Sequence, residues 1–326
     1  MISDKNSIVF TEAEKAQRKF KPVIQILIFF LVYLIFYLVA NVIVTVAMGI
    51  AVFSSNDIKD SFTESSGIDS LVEFLQHNPI VLIASLYTFI VSYIVCIIYA
   101  RKIEKRSTVS LGYTRKGAPL QFLMGFGIGG AMITAAGLMC MISGNGSFEL
   151  SSSVNFPLLI VYFAGYLIQG GAEEIMNRGF LMVSLRNSFR NNKLRNVWAV
   201  LISSYIFAML HGLNPGMTIL SVLNLFGAGV FFAVLFIRFD NIWICWAAHT
   251  AWNFFQGHIL GTYVSGLPSP VSIFIFNDSG NQIINGGSFG FEGGLMVSCV
   301  QLLVIALLIF LPSKRKGPDS KTAEPA

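Results

Sequence analysis

FPLLIVYFAGYLIQGGAEEIMNRGFL (156–181) is the stretch on which the reading of this chain turns. It opens as an apolar membrane helix, yet Glu173, Glu174 and Arg178 follow with no loop-forming stretch to announce them. Each ionisable group at the centre of a membrane helix costs roughly 2.5–3.5 kcal/mol on insertion scales. A segment that keeps three of them needs something to offset that cost, and the partners have to come from elsewhere in the sequence.

The surrounding composition supports the membrane reading. The 326 residues are 54% hydrophobic and 12% charged, with 29 Phe. A soluble domain carries about 25% charged residues, so this chain lacks the polar surface for water. Eight apolar runs are long enough, or nearly so, to cross ~30 Å of hydrocarbon: 23–53, 79–100, 119–143, 155–177, 197–212, 217–237, 241–262 and 293–312. The first overshoots and the fifth is short. The expected fold is all-α, a polytopic helical bundle in the cell membrane, forming one integral-membrane domain over 1–326.

Lys and Arg placement orients the spans. With both termini cytoplasmic, the inner segments 1–22, 101–118, 186–196, 238–240 and 313–326 hold 20 of the 22 basic residues. Arg178 lies within or at the inner end of the fourth span. Lys59 alone faces out, in a loop with Asp57, Asp60, Glu64, Asp69 and Glu73, and the outer segments 144–154 and 263–292 contain no Lys or Arg. The net charge of +5 is therefore a topology signal and implies no nucleic-acid partner. The partners it does imply are the bilayer and, for the basic tail SKRKGPDSK (313–321), anionic head groups. The 22-residue polar lead precedes a run too long for a signal-peptide h-region, and no A-x-A site follows, so no cleavable leader is expected. The tail 313–326 is expected to be disordered, and the Gly-, Ser- and Asn-rich loop 264–292 to be mobile in part. Cys96, Cys140, Cys245 and Cys299 fall inside spans without CxxC spacing and read as packing residues.

The polar groups of the spans collect in the second half of the chain. Beside the Glu173–Arg178 cluster, FAMLH (207–211) carries Phe207 and His211, and HTAWN (249–253) carries His249 and Asn253. Glu174 and Arg178 are i,i+4 and can pair along one helix face; Glu173 points about 100° away and is left free. His249 and Asn253 share a face and can present two donors to one spot. His258 is half a turn out of phase near the end of its span and reads as an interfacial residue. A carboxylate shielded from water is a better base, and fixed donors in low dielectric stabilise a developing oxyanion. Together these residues can form a water-activating site. Taken singly, each is also explained by helix packing.

The three motifs in this order, EExxxR at 173–178, FxxxH at 207–211 and HxxxN at 249–253, resemble the CPBP intramembrane proteases, which group the type II CAAX prenyl endopeptidases with bacteriocin-processing and immunity-type proteins. The resemblance covers about 155–260. It implies an α-helical membrane endopeptidase whose cavity opens toward the cytosolic side. It further implies that Glu173 activates water with His211 in support, that His249 and Asn253 hold the oxyanion, and that Glu174 and Arg178 balance charge. Its substrates are peptides or proteins, membrane-associated or lipidated in one branch, and the sequence does not choose among them.

The family's usual name includes "metalloprotease". Glu173, His211 and His249 are a two-His-one-carboxylate set that zinc could use, with Glu174 as base. No HExxH helix is present, and the preferred reading is metal-free catalysis without a cofactor. Two other classes compete: a non-catalytic binding or immunity protein on the same fold, and an ion path through the same groups. Axial rise poses one conflict. If the fourth span starts at Pro157 and the fifth at Asn196, Glu173 lies ~24 Å down from the outer end and His211 ~22 Å up from the inner end. A common site then requires the fourth helix to run past the bilayer, or the fifth to begin below it or tilt.

Overall fold

The computed structural model describes residues 7–16, 22–54, 78–189 and 191–312. The acidic segment around Lys59 and the tail 313–326 lie outside the described residues. The chain is mainly helical: α1 Ile8–Glu14, α2 Pro22–Ser54, α3 Pro79–Ile98, α4 Ala118–Ile142, α5 Phe156–Glu174, α6 Val183–Ser188, α7 Arg195–Leu210, α8 Ile219–Phe239, α9 Trp243–Phe254, the short α10 Gln282–Asn285, and α11 Leu295–Phe310. Local sequence explains several starts. Asn78 and Asn155 cap α3 and α5 through their side chains, each with a proline in the first two helical positions that needs no amide partner, and Thr218 and Ser221 form a capping box on α8.

Among the described residues, four helical stretches are long and apolar enough to cross a membrane: Val23–Val44, Pro79–Ile103, Ala118–Ile142 and Ile219–Phe239. The other expected spans depart from that form for physical reasons. Arg195–Leu210 and Leu295–Phe310 are apolar but shorter, and at ~24 Å each they fall below the hydrocarbon thickness. The fourth and seventh expected spans carry the polar groups, and both change register. After Glu174 the helix widens into a π segment, Ile175–Met182, before α6, and α9 widens at Phe255–Ile259. The all-α expectation also misses one element. Strands β1 (Gly146–Leu150) and β2 (Phe274–Asp278) pair antiparallel, Gly146 opposite Asp278 and Leu150 opposite Phe274.

Charge sorts the two ends of the bundle. At one end α1 docks inside the polar lead: Val9, Phe10 and Ala13 are buried, Asp240 accepts from Ser7 and from the Ile8 amide, and Glu14 pairs with Arg186 and Arg195. A buried Arg106–Glu104 pair at 3.0 Å lies at the same end. The other end carries the β1–β2 pair and the 263–294 loop, segments free of Lys and Arg. That loop is folded onto the core. His258, expected at the interface, is fully buried beneath it, with Nδ1 donating to the Val271 carbonyl and its ring 4.2 Å from that of Tyr162. Cys96, Cys140 and Cys245 are buried and Cys299 is exposed; all four are free thiols.

The tightest packing lies between α4, α5 and α9. A Cβ on Gly125 would sit 2.1 Å from the Ile244 carbonyl oxygen, and one on Gly129 would sit 2.0 Å from that of Ala248. On α5, a Cβ on Gly171 would meet the Trp246 ring at 2.4 Å. Small residues therefore let these backbones approach closely and place His249 against the end of α5.

A matched pair of substitutions tests this contact. Gly129→Ala should lower stability by about 1–3 kcal/mol, seen as a lower Tm in detergent. Gly127→Ala, where nothing lies within 4 Å of the added carbon, should stay within about 0.5 kcal/mol of the parent. Equal losses would show that the α4–α9 approach does not hold the bundle.

Candidate active site

The conflict in axial rise disappears because α5, the π segment and α6 make one continuous helix. About 22 Å of it separates Glu173 from Ser188, and about 24 Å of α7 separates His211 from Arg195. Asn196 bonds to Arg186 at 3.0 Å, so the two helices start level. The fourth span runs well past its expected end at 177, and Glu173 and His211 reach the same depth.

At that depth the six sequence-derived residues meet. Arg178 Nη1 and Glu174 Oε1 are 2.9 Å apart with both side chains buried. The guanidinium also donates to the Gly229 carbonyl at 3.1 Å and lies over the rings of Phe207 and Phe232, at 4.7 and 5.1 Å. Hydrogen bonding and cation–π contact thus supply what water would have supplied. Glu174 Oε1 also lies 2.9 Å from His249 Nδ1. A carboxylate only accepts, so Nδ1 carries the proton. The His249 ring stacks on Phe232 at 4.9 Å.

Glu173 is held differently. Its Oε1 accepts from Gln169 Nε2 at 2.7 Å, and Gln169 Oε1 accepts from Asn253 Nδ2 at 2.9 Å. Its Oε2 is buried with no hydrogen-bond partner. That oxygen stands 3.8 Å from His249 Nε2 and 4.0 Å from His211 Nε2. His211 Nδ1 donates to the Phe207 carbonyl at 2.9 Å, which leaves its Nε2 as an acceptor when the ring is neutral. A carboxylate oxygen and two imidazole nitrogens thus face one point, and the two protons of a water placed there match the Glu173 oxygen and His211 Nε2.

Zinc would need His249 Nε2 and His211 Nε2 to stand nearer to Glu173 Oε2 than they do. Bonds of 2.0–2.2 Å in tetrahedral geometry set ligand atoms ~3.4 Å apart, closer than both Glu173–His separations. Among the described residues no group of three or more His, Cys, Asp or Glu is spaced to hold a metal. No step below is routed through one.

The site opens into a cavity of about 380 Å³. Its walls include Tyr33 and Tyr37 of α2, Phe89 of α3, Asn214 after α7, and Ser265 and Glu292 from the 263–294 loop. Leu34 and Leu210, both about half exposed, reach it from the apolar perimeter. Residues of the Lys- and Arg-free 263–294 loop thus reach the cavity that holds Glu173. The loop after His211 meets the 263–294 loop: Asn214 donates to the Ser265 carbonyl at 2.9 Å.

Gln169 and Glu292 are among the lining residues that escaped the sequence reading. Gln169 had a usable signal, a polar residue four positions before Glu173 on the same face. Glu292 had none, since it lies in a glycine-rich loop far from every motif.

No match emerged among the curated proteins or the solved structures. Residues 155–255 match the family model described as type II CAAX prenyl endopeptidase, Rce1-like, a family of proteases. The matched segment contains all six motif residues and ends short of Glu292. Over residues 155–255, about a third of its length, the chain is therefore similar to the Rce1-like type II CAAX prenyl endopeptidases, which supports the resemblance of its three motifs to the CPBP proteases.

Proposed function

We propose that the protein is an intramembrane endopeptidase in which Glu173 activates the hydrolytic water. The observation that carries this is the approach of His249 Nε2 and His211 Nε2 to the unpartnered Glu173 Oε2, at 3.8 and 4.0 Å inside a cavity. Water bonded to Oε2 attacks the scissile carbonyl and gives its proton to Glu173. The negative charge that forms on the carbonyl oxygen meets His249, whose imidazolium form Glu174 supports through Nδ1 and whose Nε2–H faces the cavity. Asn253 has a second amide N–H to give beyond its bond to Gln169. The C–N bond then breaks as the leaving amine takes the proton held by Glu173, and the acceptor Nε2 of His211 takes the second proton of the former water as the product carboxylate forms. Donors fixed before the reaction need no reorganisation, which is their advantage in a low-dielectric site. Nothing in this scheme requires a cofactor.

Eight spans with a cytoplasmic basic end make the protein a multi-pass component of the cell membrane. The polar contacts among α1, Arg186, Arg195 and Asp240 support a single basic face. In that orientation cleavage falls at mid-depth or in the outer half of the bilayer. The apolar mouth at Leu34 and Leu210 suits a membrane-associated peptide or protein substrate, lipidated or not.

Two measurements test the reading. Glu173→Gln should reduce peptide cleavage by the liposome-reconstituted protein ~10²–10⁴-fold, with expression and Tm close to the parent. A cellular phenotype that survives this change would assign the protein to binding. Glu174→Gln strands a buried guanidinium and should cost about 3–5 kcal/mol. Combining it with Arg178→Met removes both charges and should recover much of the Tm. No recovery would mean that the pair serves something other than charge balance.

A further inference from the structure

The cavity holds a second carboxylate that the chemistry above does not use. Glu292 lies in the 3₁₀ turn Phe291–Gly293 and is 7% exposed. Its Oε1 accepts from Trp252 Nε1 at 2.9 Å, and its Oε2 accepts from the Ser265 amide at 2.9 Å and the Ser265 hydroxyl at 2.6 Å. Three donors from α9 and the loop thus pin a group that has about four acceptor positions, which leaves one for a ligand, and Glu292 lines the cavity.

The backbone around it is built to bring it there. Gly286 and Gly290 have φ of +93° and +85°, conformations that favour glycine. A Cβ on Gly290 would lie 2.0 Å from the Tyr263 carbonyl oxygen. Asn224 Nδ2 then anchors the Glu292 carbonyl at 2.8 Å. The run INGGSFGFEGG (284–294) is a tightly folded cradle for one acidic side chain.

What is missing is a counter-charge. Among the described residues no Lys, Arg or His forms an ion pair with Glu292, and the sequence holds no Lys or Arg between Asp240 and Ser313. The cavity lining contains Glu173 and Glu292, two imidazoles, and neither Lys nor Arg. Arg178 is committed to Glu174 and the Gly229 carbonyl. Removing a carboxylate from water without a cation is costly, and a ligand that carries the cation would relieve it.

We propose that Glu292 is a specificity-determining residue that receives the ammonium or guanidinium of a Lys or Arg side chain in the substrate, on one side of the scissile bond. The proposal deepens the peptidase reading and rests on it.

The test uses the full chain in liposomes with a mixture of synthetic peptides, comparing the parent with Glu292→Gln and Glu292→Asp. The parent should cut with Lys or Arg enriched at a fixed distance from the cut. A Lys peptide should be preferred over its norleucine counterpart by about tenfold or more, the scale of a charge-assisted hydrogen bond. That ratio should fall to within about twofold in Glu292→Gln and persist in Glu292→Asp, with Tm reporting that each variant folds. Cleavage by the parent with no basic preference would overturn the proposal, as would an equal preference in Glu292→Gln. A second arm is independent of turnover: a photo-crosslinking Lys and norleucine peptide pair is presented to Glu173→Gln protein. Labelling that favours Lys and requires Glu292 supports the cation site even if no peptide is cut, and labelling without that preference overturns it. Cleavage by neither the parent nor the variants defeats the peptidase reading alone.

Discussion

One oxygen atom, Glu174 Oε1, ties the functional half of the molecule together. It accepts from Arg178 on its own helix and from His249 on α9, at 2.9 Å each. The first contact makes a buried guanidinium tolerable, and the second sets which nitrogen of His249 carries the proton. His249 therefore turns Nε2 toward Glu173. Glu174, paired with Arg178, and Glu173, with one oxygen unpartnered, are consecutive residues in different surroundings, because one helical residue step rotates their side chains by about 100°.

That arrangement depends on close backbone packing. Gly125 and Gly129 bring α4 onto the α9 carbonyls, and Gly171 lets the Trp246 ring cover α5. Trp246 Nε1 in turn donates to the Leu167 carbonyl at 2.7 Å. Directly after the two glutamates the helix opens into its π segment, where each turn takes in an additional residue. Arg178 lies in that segment, and its Nη2 reaches the Gly229 carbonyl of α8. Such wide turns are common at functional sites, and this one carries the cation that compensates the site.

Charge asymmetry gives the cavity its character. The basic residues concentrate at the end of the bundle where α1 docks, while the walls above Glu173 come from segments without Lys or Arg. The carboxylates of the cavity therefore face a region with no fixed positive charge. Aromatic and aliphatic residues of α2, α3 and α7 complete the enclosure and join it to the apolar perimeter.

Legibility in the sequence followed the range of the interactions. Helical phase is local, so the pairing of Glu174 with Arg178 and the shared face of His249 and Asn253 could be read from spacing alone. So could the separation of basic from Lys- and Arg-free segments, because it is a property of composition along the chain. Contacts between distant segments left no such pattern. Gln169 bridging Asn253 to Glu173, His258 buried under the 263–294 loop, and Glu292 entering the cavity each depend on which backbones can approach one another. The common depth of Glu173 and His211 was equally hidden, since it requires the fourth helix to continue through a π segment. The sequence by itself determined a helical membrane chain with its ionisable groups on three segments. Only the tertiary structure decided that they share one cavity, because convergence is set by glycine contacts and helix register rather than by residue identity.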